Sequence, residues 1–247
     1  MECRLIIDQP ADGAWNMALD EALLESAGRA GQGGCLRFYF WKEPTVSLGY
    51  FQRCADRQTH AASRGCPLVR RSTGGGAIVH DLELTYSFTT GIQTHVRSGL
   101  ADYYDAFHGT LIQELAERGI SARLCPAPPL RRQAEEPFLC FQRRAEGDVL
   151  IGDSKIAGSA QRRRHGALLQ HGSVLLQRSV AAPELAGIAE LSSVFLDPRE
   201  LAECWAKRVA AKLGLTLRSD SSTGREKEAA ERICRSQYAQ PGWTNRR

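Results

Sequence analysis

The chain lacks most features that would assign it at a glance. No apolar run approaches the ~18 residues needed to cross a bilayer. The opening Met1-Glu2-Cys3-Arg4-Leu5 carries no apolar signal-peptide core. The expectation is therefore a cytoplasmic protein with no membrane partner. Eight cysteines, at 3, 35, 54, 66, 125, 140, 204 and 234, include no C-x-x-C pair, so no metal is expected. In a reducing compartment they stay free thiols, mostly small buried hydrophobes. Charge is nearly balanced, at +4 from 32 basic and 28 acidic residues. That is too mild for a dedicated nucleic-acid binder and suits an acidic protein partner. Lysine is scarce: five of the 32 basic residues, at 42, 155, 207, 212 and 227. No Lys-Ser or Lys-Thr follows the glycine cluster, and no G-x-G-x-x-G is present, so neither common nucleotide loop is encoded.

What is present is a chain of 247 residues, 43% hydrophobic, long enough for an ample core. Cys3–Ile7 reads as a strand, and Asp12 or Asn16 as the cap of a following helix with Asp20, Glu21 and Glu25 on its wet face. Leu36–Trp41, Thr45–Tyr50 and Pro67–Val69 read as strands, with a short helix over Asp56–Arg64. Leu84–Phe88 alternates as a strand, Leu100–Arg118 is an amphipathic helix, and Ile120–Leu124 is a strand. The proline-rich 126–137 stretch reads as a mobile surface loop. Asp148–Ile151, Lys155–Gln161 and Ala167–Leu176 read as strands, followed by a helix over Leu201–Leu213, a strand at Leu215–Leu217 and a terminal helix over Gly224–Tyr238. Without strict βαβ alternation the class is α+β, with a central mixed, largely antiparallel sheet flanked by helices. Residues 1–218 are expected to form a catalytic domain, and 219–247 a C-terminal helix and tail packed on it.

The chain is organised around Arg70-Arg71-Ser72-Thr73-Gly74-Gly75-Gly76-Ala77-Ile78-Val79-His80-Asp81. Three consecutive glycines weaken any regular element. They suit a tight strand-to-strand turn, or a backbone that approaches a ligand closely and offers N–H groups to it. Arg70, Arg71 and His80 favour the second reading.

Cys140 follows the proline-rich stretch between Phe138 and Phe141. It reads either as a buried thiol or as a nucleophile suited to thioester exchange, with Arg143 and Arg144 near enough to favour the thiolate. Lys155 opens Lys155-Ile156-Ala157-Gly158-Ser159-Ala160-Gln161. It is either a solvated strand residue or a cation that polarises a carbonyl. The small residues Ala157, Gly158 and Ser159 leave room for a slim ligand, such as an acyl chain. Arg162-Arg163-Arg164-His165 is a solvated hairpin turn or a docking patch for an acidic carrier. His171, in Gln170-His171-Gly172-Ser173, is more often a core histidine than a catalyst.

These stretches together resemble the lipoate-protein ligase A, octanoyltransferase and biotin-ligase catalytic-domain family. Arg70-Arg71-x-x-Gly74-Gly75-Gly76-x-x-x-His80-Asp81 with Glu83-Leu84-Thr85-Tyr86-Ser87 resembles its glycine motif. Lys155–Gln161 with Leu169–Ser173 resembles its lysine motif, and Asn16–Leu24 and Leu48–Gln52 also match. Within the family the likeness is to LipM-type octanoyltransferases, because Cys140 stands 15 residues before Lys155 and the region 184–193 holds no cysteine. The chain departs from that type after the cysteine, with Gln142–Gly147 in place of an aromatic Pro-Ser-Trp-Tyr-like segment. It is also expected to lack the accessory domain of ATP-dependent ligases.

The resemblance implies transfer of octanoyl from octanoyl-acyl carrier protein to a lysine of a lipoyl domain, such as the glycine-cleavage H protein or a 2-oxoacid dehydrogenase E2. It implies no cofactor. Cys140 would carry the acyl group and Lys155 would steady its carbonyl. Arg70, Arg71, Gly74, Gly75, Gly76, His80, Ala157, Gly158, Ser159 and His171 would line the substrate site. The competing readings are an ATP-dependent lipoate ligase and a nucleic-acid-binding module using the 162–165 run. Few aromatics flank that run, which argues against the last.

Overall fold

A computed structural model describes residues 1–29, 33–92, 100–127 and 136–247. Among the described residues the strands are β1 (Glu2–Ile7), β2 (Gly34–Tyr39), β3 (Thr45–Leu48), β4 (Leu68–Arg70), β5 (Ile78–His80), β6 (Glu83–Gly91), β7 (Arg123–Leu124), β8 (Val149–Ile151), β9 (Ser154–Arg164), β10 (Ala167–Leu175) and β11 (Thr216–Ser219). The helices are α1 (Gly13–Ala27), α2 (Leu100–Glu117), α3 (Ile188–Ser192), α4 (Pro198–Leu213), α5 (Gly224–Ile233) and α6 (Pro241–Thr244), besides shorter 3-10 and π turns.

The main sheet runs β11-β1-β2-β6-β10-β9-β8-β7. β1 pairs in parallel with β11 and β2, and the remaining pairings are antiparallel. The sheet is therefore mixed and largely antiparallel, as the element pattern predicts. Adjacent residues of β2 show how it is sandwiched. Phe38 packs with Phe107 and Trp205 on the α2–α4 side, whereas Tyr39 packs with Met17 and Ala230 on the α1–α5 side. That is the two-residue period of a strand with helices on both faces. α5 is fixed by a capping box at Thr223 and by Glu226, which pairs with Arg4.

Several local expectations change. Asp12 caps α1, accepting from the Trp15 N–H at 2.9 Å, while Asn16 is buried and bonds the Phe40 carbonyl. Asp20 and Glu21 are buried, not wet, because α1 is covered by the sheet on one side and α5 on the other. Asp20 receives Arg37, Tyr39 and Ser87, and Glu21 receives Arg164 and Tyr238. The short helix after β3 is a 3-10 turn over Cys54–Thr59, and β7 is cut to two residues. The expected mobile loop falls largely on 128–135, outside the described residues.

The glycine run is not a hairpin. A second sheet is ordered β4-β3-β5, so the strands before and after the glycines both pair with β3 and not with each other. The intervening stretch crosses over β3 as a broad loop and is free to pack on something else. It packs on the segment bearing Cys140.

Candidate active site

Cys140 opens a one-turn 3-10 segment, Cys140–Gln142, and its backbone is stitched to the glycine loop. Ala77 N–H donates to the Phe138 carbonyl at 2.9 Å, and Cys140 N–H donates to the Ala77 carbonyl at 2.7 Å. This works only because the loop carries no side chains there. A Cβ on Gly76 would lie 2.9 Å from the Cys140 nitrogen and 3.0 Å from its Cα. Gly75 adopts φ +91°, which an L side chain resists, and faces the Cys140 sulfur. The loop is held from behind by Arg71, which donates to the carbonyls of Gly74 and Gly76, each at 2.7 Å, and of Ser47 at 2.9 Å. Burial pushes the Arg71 guanidinium down to about 10, against the raising effect of the nearby Cys140 sulfur, so it remains a cation at neutral pH.

Lys155 comes from the other side, at the head of β9. Its Nζ lies 2.8 Å from Asp148 Oδ2 and 3.9 Å from Cys140 Sγ, over the Phe141 ring at 5.3 Å. The ammonium is buried, not solvated. The β8–β9 hairpin, turning at Gly152-Asp153, brings Asp148 back beside it. Gly158 makes the space: a Cβ there would meet Lys155 Cε at 2.6 Å and Asp148 Oδ1 at 2.9 Å.

Between these two walls lies a cavity of about 380 Å³, more apolar than polar in its lining. That volume is within the ~300–1,000 Å³ of small-molecule sites. Of the residues singled out in the sequence, Arg71, Gly74, Gly75, His80, Cys140, Lys155, Gly158, Ser159 and His171 line it. Gly76 and Ala157 are not in the lining: Gly76 cradles the Cys140 backbone, and Ala157 faces the core beneath β9. Arg70 lies elsewhere. It is fully buried and donates to the carbonyls of Gly49, Gln52 and Thr244 at 2.9, 2.7 and 2.8 Å, tying β4 to the C-terminal segment. Arg143 turns to Pro137 and Glu136, and Arg144 to Asp153, so neither faces the thiol.

The cavity's histidines sit in closed hydrogen-bond networks. His80 stacks on Trp41 at 3.9 Å, with Nδ1 on Glu83 and Nε2 on Ser47, at 2.7 and 2.8 Å. The carboxylate takes the Nδ1–H, so Nε2 accepts the Ser47 hydroxyl, whose oxygen in turn accepts from Arg71. Burial holds His80 below its ordinary value, outweighing Glu83. His171 Nε2 meets Thr73 Oγ1 at 2.7 Å, and Nδ1 lies 3.5 Å from Asp20. Burial would raise the Asp20 carboxyl, but the His171 bond and Arg37 win and hold it below the usual range.

Sequence reasoning missed Asp148, Tyr104 and His108. Tyr104 lines the cavity, and burial raises its phenol. His108, from α2, has Nδ1 on the Gly147 carbonyl and Nε2 on Ser159 Oγ, each at 2.6 Å. Ser159 is thereby fixed between His108 and Tyr86. The signal for Asp148 was available, as a carboxylate at the start of a hairpin whose second strand opens on Lys155. His108 gave none, because α2 meets β9 only in the tertiary fold.

Residues 12–207 match the lipoyl protein ligase A/B catalytic domain model. The chain belongs to that family. It is 33% identical over 270 aligned positions to the octanoyltransferase LipM of Symbiobacterium thermophilum, covering 99% of this chain and 98% of that one. The fold is shared with a lipoate-protein ligase A solved with bound ATP, at a TM-score of 0.79 and 25% identity over 99% of both chains. It is also shared with an archaeal bi-partite lipoate protein ligase from Thermoplasma acidophilum, at 0.76 and 23%, covering 99% and 96%. Among the described residues no cluster of three metal-ligating side chains is present, and no helix is long and apolar enough to cross a membrane.

Proposed function

We propose that the protein transfers an octanoyl group from octanoyl-acyl carrier protein to a lysine of a lipoyl domain, through a thioester on Cys140, in lipoate biosynthesis. The observation that carries this is the one thiol in the cavity wall, 3.9 Å from a buried lysine ammonium, at an apolar slot. Burial leaves Cys3 near 11 and Cys35 near 12, thiols at any physiological pH. Cys125 is buried beside Pro126 and is not among the cavity's lining residues.

In the first half-reaction the Cys140 sulfur attacks the donor thioester carbonyl. A new C–S bond forms, the bond to the carrier sulfur breaks, and the carrier leaves as a thiol with the proton that Cys140 gave up. In the second, the acceptor lysine nitrogen attacks the Cys140 thioester, forming the amide and expelling the Cys140 thiol. The ammonium of the acceptor loses two protons overall, one to that sulfur and one to solvent. Lys155 steadies the negative charge that gathers on the carbonyl oxygen in both steps, and a preorganised cation needs no rearrangement at the moment of reaction. Asp148 fixes its aim. His80 and Ser159 shape the slot.

The ligase reading shares these motifs but requires nucleotide. The likeness to LipM along nearly the whole chain favours the transferase. The test is a purified lipoyl domain incubated with octanoyl-carrier and no nucleotide. Octanoylation is expected. Modification only with free octanoate or lipoate plus ATP would reverse the assignment.

A further inference from the structure

The arginine run of the β9–β10 turn is the obvious docking candidate in the sequence, but the structure spends part of it internally. Arg164 is neutralised by Glu21, whereas Arg162 donates to the neutral Ser72 carbonyl at 2.9 Å and keeps its charge. The positive surface beside the cavity is instead assembled from distant parts of the chain. Tyr50 and Phe51 follow β3 after Gly49, and Phe51 is 67% exposed. The Phe51 ring borders Gly74, a residue of the cavity wall. Over this aromatic pair lie two guanidinium groups from the C-terminal segment. Arg246 sits 4.2 Å above the Tyr50 ring and 4.8 Å above Trp243, and donates to the Tyr50 hydroxyl at 2.9 Å. Arg247 sits 5.3 Å from the Phe51 ring. The segment is anchored by Trp243, which donates to the Arg70 carbonyl, and by Cys54 N–H on the Arg247 carbonyl. Arg162 reaches the same corner through the glycine loop, since it donates to the Ser72 carbonyl while the Tyr50 N–H donates to the adjoining Thr73 carbonyl at 2.8 Å. The Tyr50 phenol is held below its ordinary value first by the Arg246 bond. Among the described residues none of the three is ion-paired with a side-chain carboxylate.

We infer that this Tyr50–Phe51 platform, with Arg162, Arg246 and Arg247, docks the acidic acyl-carrier donor and the phosphodiester of its prosthetic arm, and does not dock the lysine-bearing acceptor. This rests on the proposed transfer reaction. The sign of charge separates the two partners. The donor brings only anionic groups toward the cavity mouth, an acidic surface and a phosphodiester, which three unpaired guanidinium groups attract. The acceptor must bring an ammonium to the same mouth, and three cations beside it oppose that approach. Phe51 adds an exposed apolar contact at the centre of a charged rim, the pattern of an interface anchor. The groups are exposed, and screening acts within about 8–10 Å at ordinary salt. The effect therefore falls on encounter and on donor KM more than on turnover.

The experiment is steady-state transfer with Arg246→Glu/Arg247→Glu at low and high salt, varying donor and acceptor separately. Donor KM should rise about 10-fold at low salt, converge on wild type as salt rises, and leave kcat and acceptor KM within about twofold. Arg246→Gln/Arg247→Gln, which removes charge without reversing it, should give a smaller rise of the same kind and serves if the first variant folds poorly. A neutral octanoyl thioester of a small thiol should acylate variant and wild type equally. Unchanged donor KM at low salt, or a rise in acceptor KM instead, overturns the inference. If wild type takes octanoyl from neither the small thioester nor the carrier, the transferase reading itself fails, and the docking inference with it.

Discussion

Gly158→Ala tests the site through a residue that has no functional atoms. A Cβ there would lie 2.6 Å from Lys155 Cε and 2.9 Å from both Lys155 Nζ and Asp148 Oδ1. Carbon atoms settle at about 3.5–4.0 Å, so the lysine tip must retreat by roughly 1 Å. The atoms in the way are the ends of side chains, not backbone, and the β9 backbone stays put. Alanine is itself better than glycine in a strand by about 0.5–1 kcal/mol, which offsets part of the cost of reseating the ion pair. The fold should therefore survive with a melting temperature within a few degrees of wild type. Catalysis should not. A misplacement of about 1 Å at a reacting centre costs on the order of 10²-fold, or about 2.7 kcal/mol of barrier. Two measurements decide it: thermal unfolding by circular dichroism, and single-turnover octanoyl transfer followed by intact mass. Wild-type turnover in a folded Gly158→Ala protein would refute the role given to the Lys155 position. A protein that fails to fold would refute the claim that only side-chain tips are displaced.

The remaining predictions concern the reacting groups and the buried histidines. Cys140→Ser should lose at least ~10³-fold in turnover, about 4 kcal/mol, since a hydroxyl is a far weaker nucleophile and its ester a slower acyl donor. Wild type with donor alone should gain one hydroxylamine-labile adduct on the Cys140 peptide, and an adduct on Cys125 would contradict the mechanism. Lys155→Arg keeps the charge but puts a planar fork where 2.8 Å separates Nζ from Asp148. Activity should fall at least ~10-fold, and parity with wild type would remove Lys155 from the site. His80 and His108 are both held below their ordinary values, chiefly by burial. Unfolded, each protonates near pH 6.5, so the stability of the neutral rings is complete above that pH and is lost as pH falls below it. The urea midpoint should drop from about pH 7 to about pH 5, with a shallower drop in His108→Asn; equal slopes would refute the assignment.

The sheet class and most strands were legible because they rest on local pattern, period-two runs and a hairpin signal. The meeting of Cys140 with Lys155 was legible only through the resemblance of whole motifs to a family, since each residue read alone left a structural alternative open. What failed depended on the far side of an element. Arg70 and Arg71 are adjacent and chemically identical, yet one clamps the C-terminal segment and the other braces the cavity loop, because alternate strand positions point opposite ways. Asp20 and Glu21 read as solvent-facing because helix periodicity assumes one wet side, and α1 has none after α5 packs on it. The glycine run read as a tight turn or as a backbone in close approach, and the flanking charges favoured the second reading without saying what it approaches. Its partner, the Cys140 backbone, lies more than sixty residues away in sequence.

Thiol and ammonium belong to different hydrophobic cores. Cys140 is joined through Leu139 to the cluster of the small sheet, with Val46, Leu48, Ala77 and Val79. Lys155 is joined through Ile156 and Ala157 to the large one, with Phe38, Tyr86 and Trp205. The 3.9 Å between sulfur and nitrogen is thus a gap between two bodies, much as a spark gap is set by the mounting of its electrodes. Wear in the smaller mounting would show first as lost timing in the chemistry, while the larger body, and any bulk measure of folding, still looked sound.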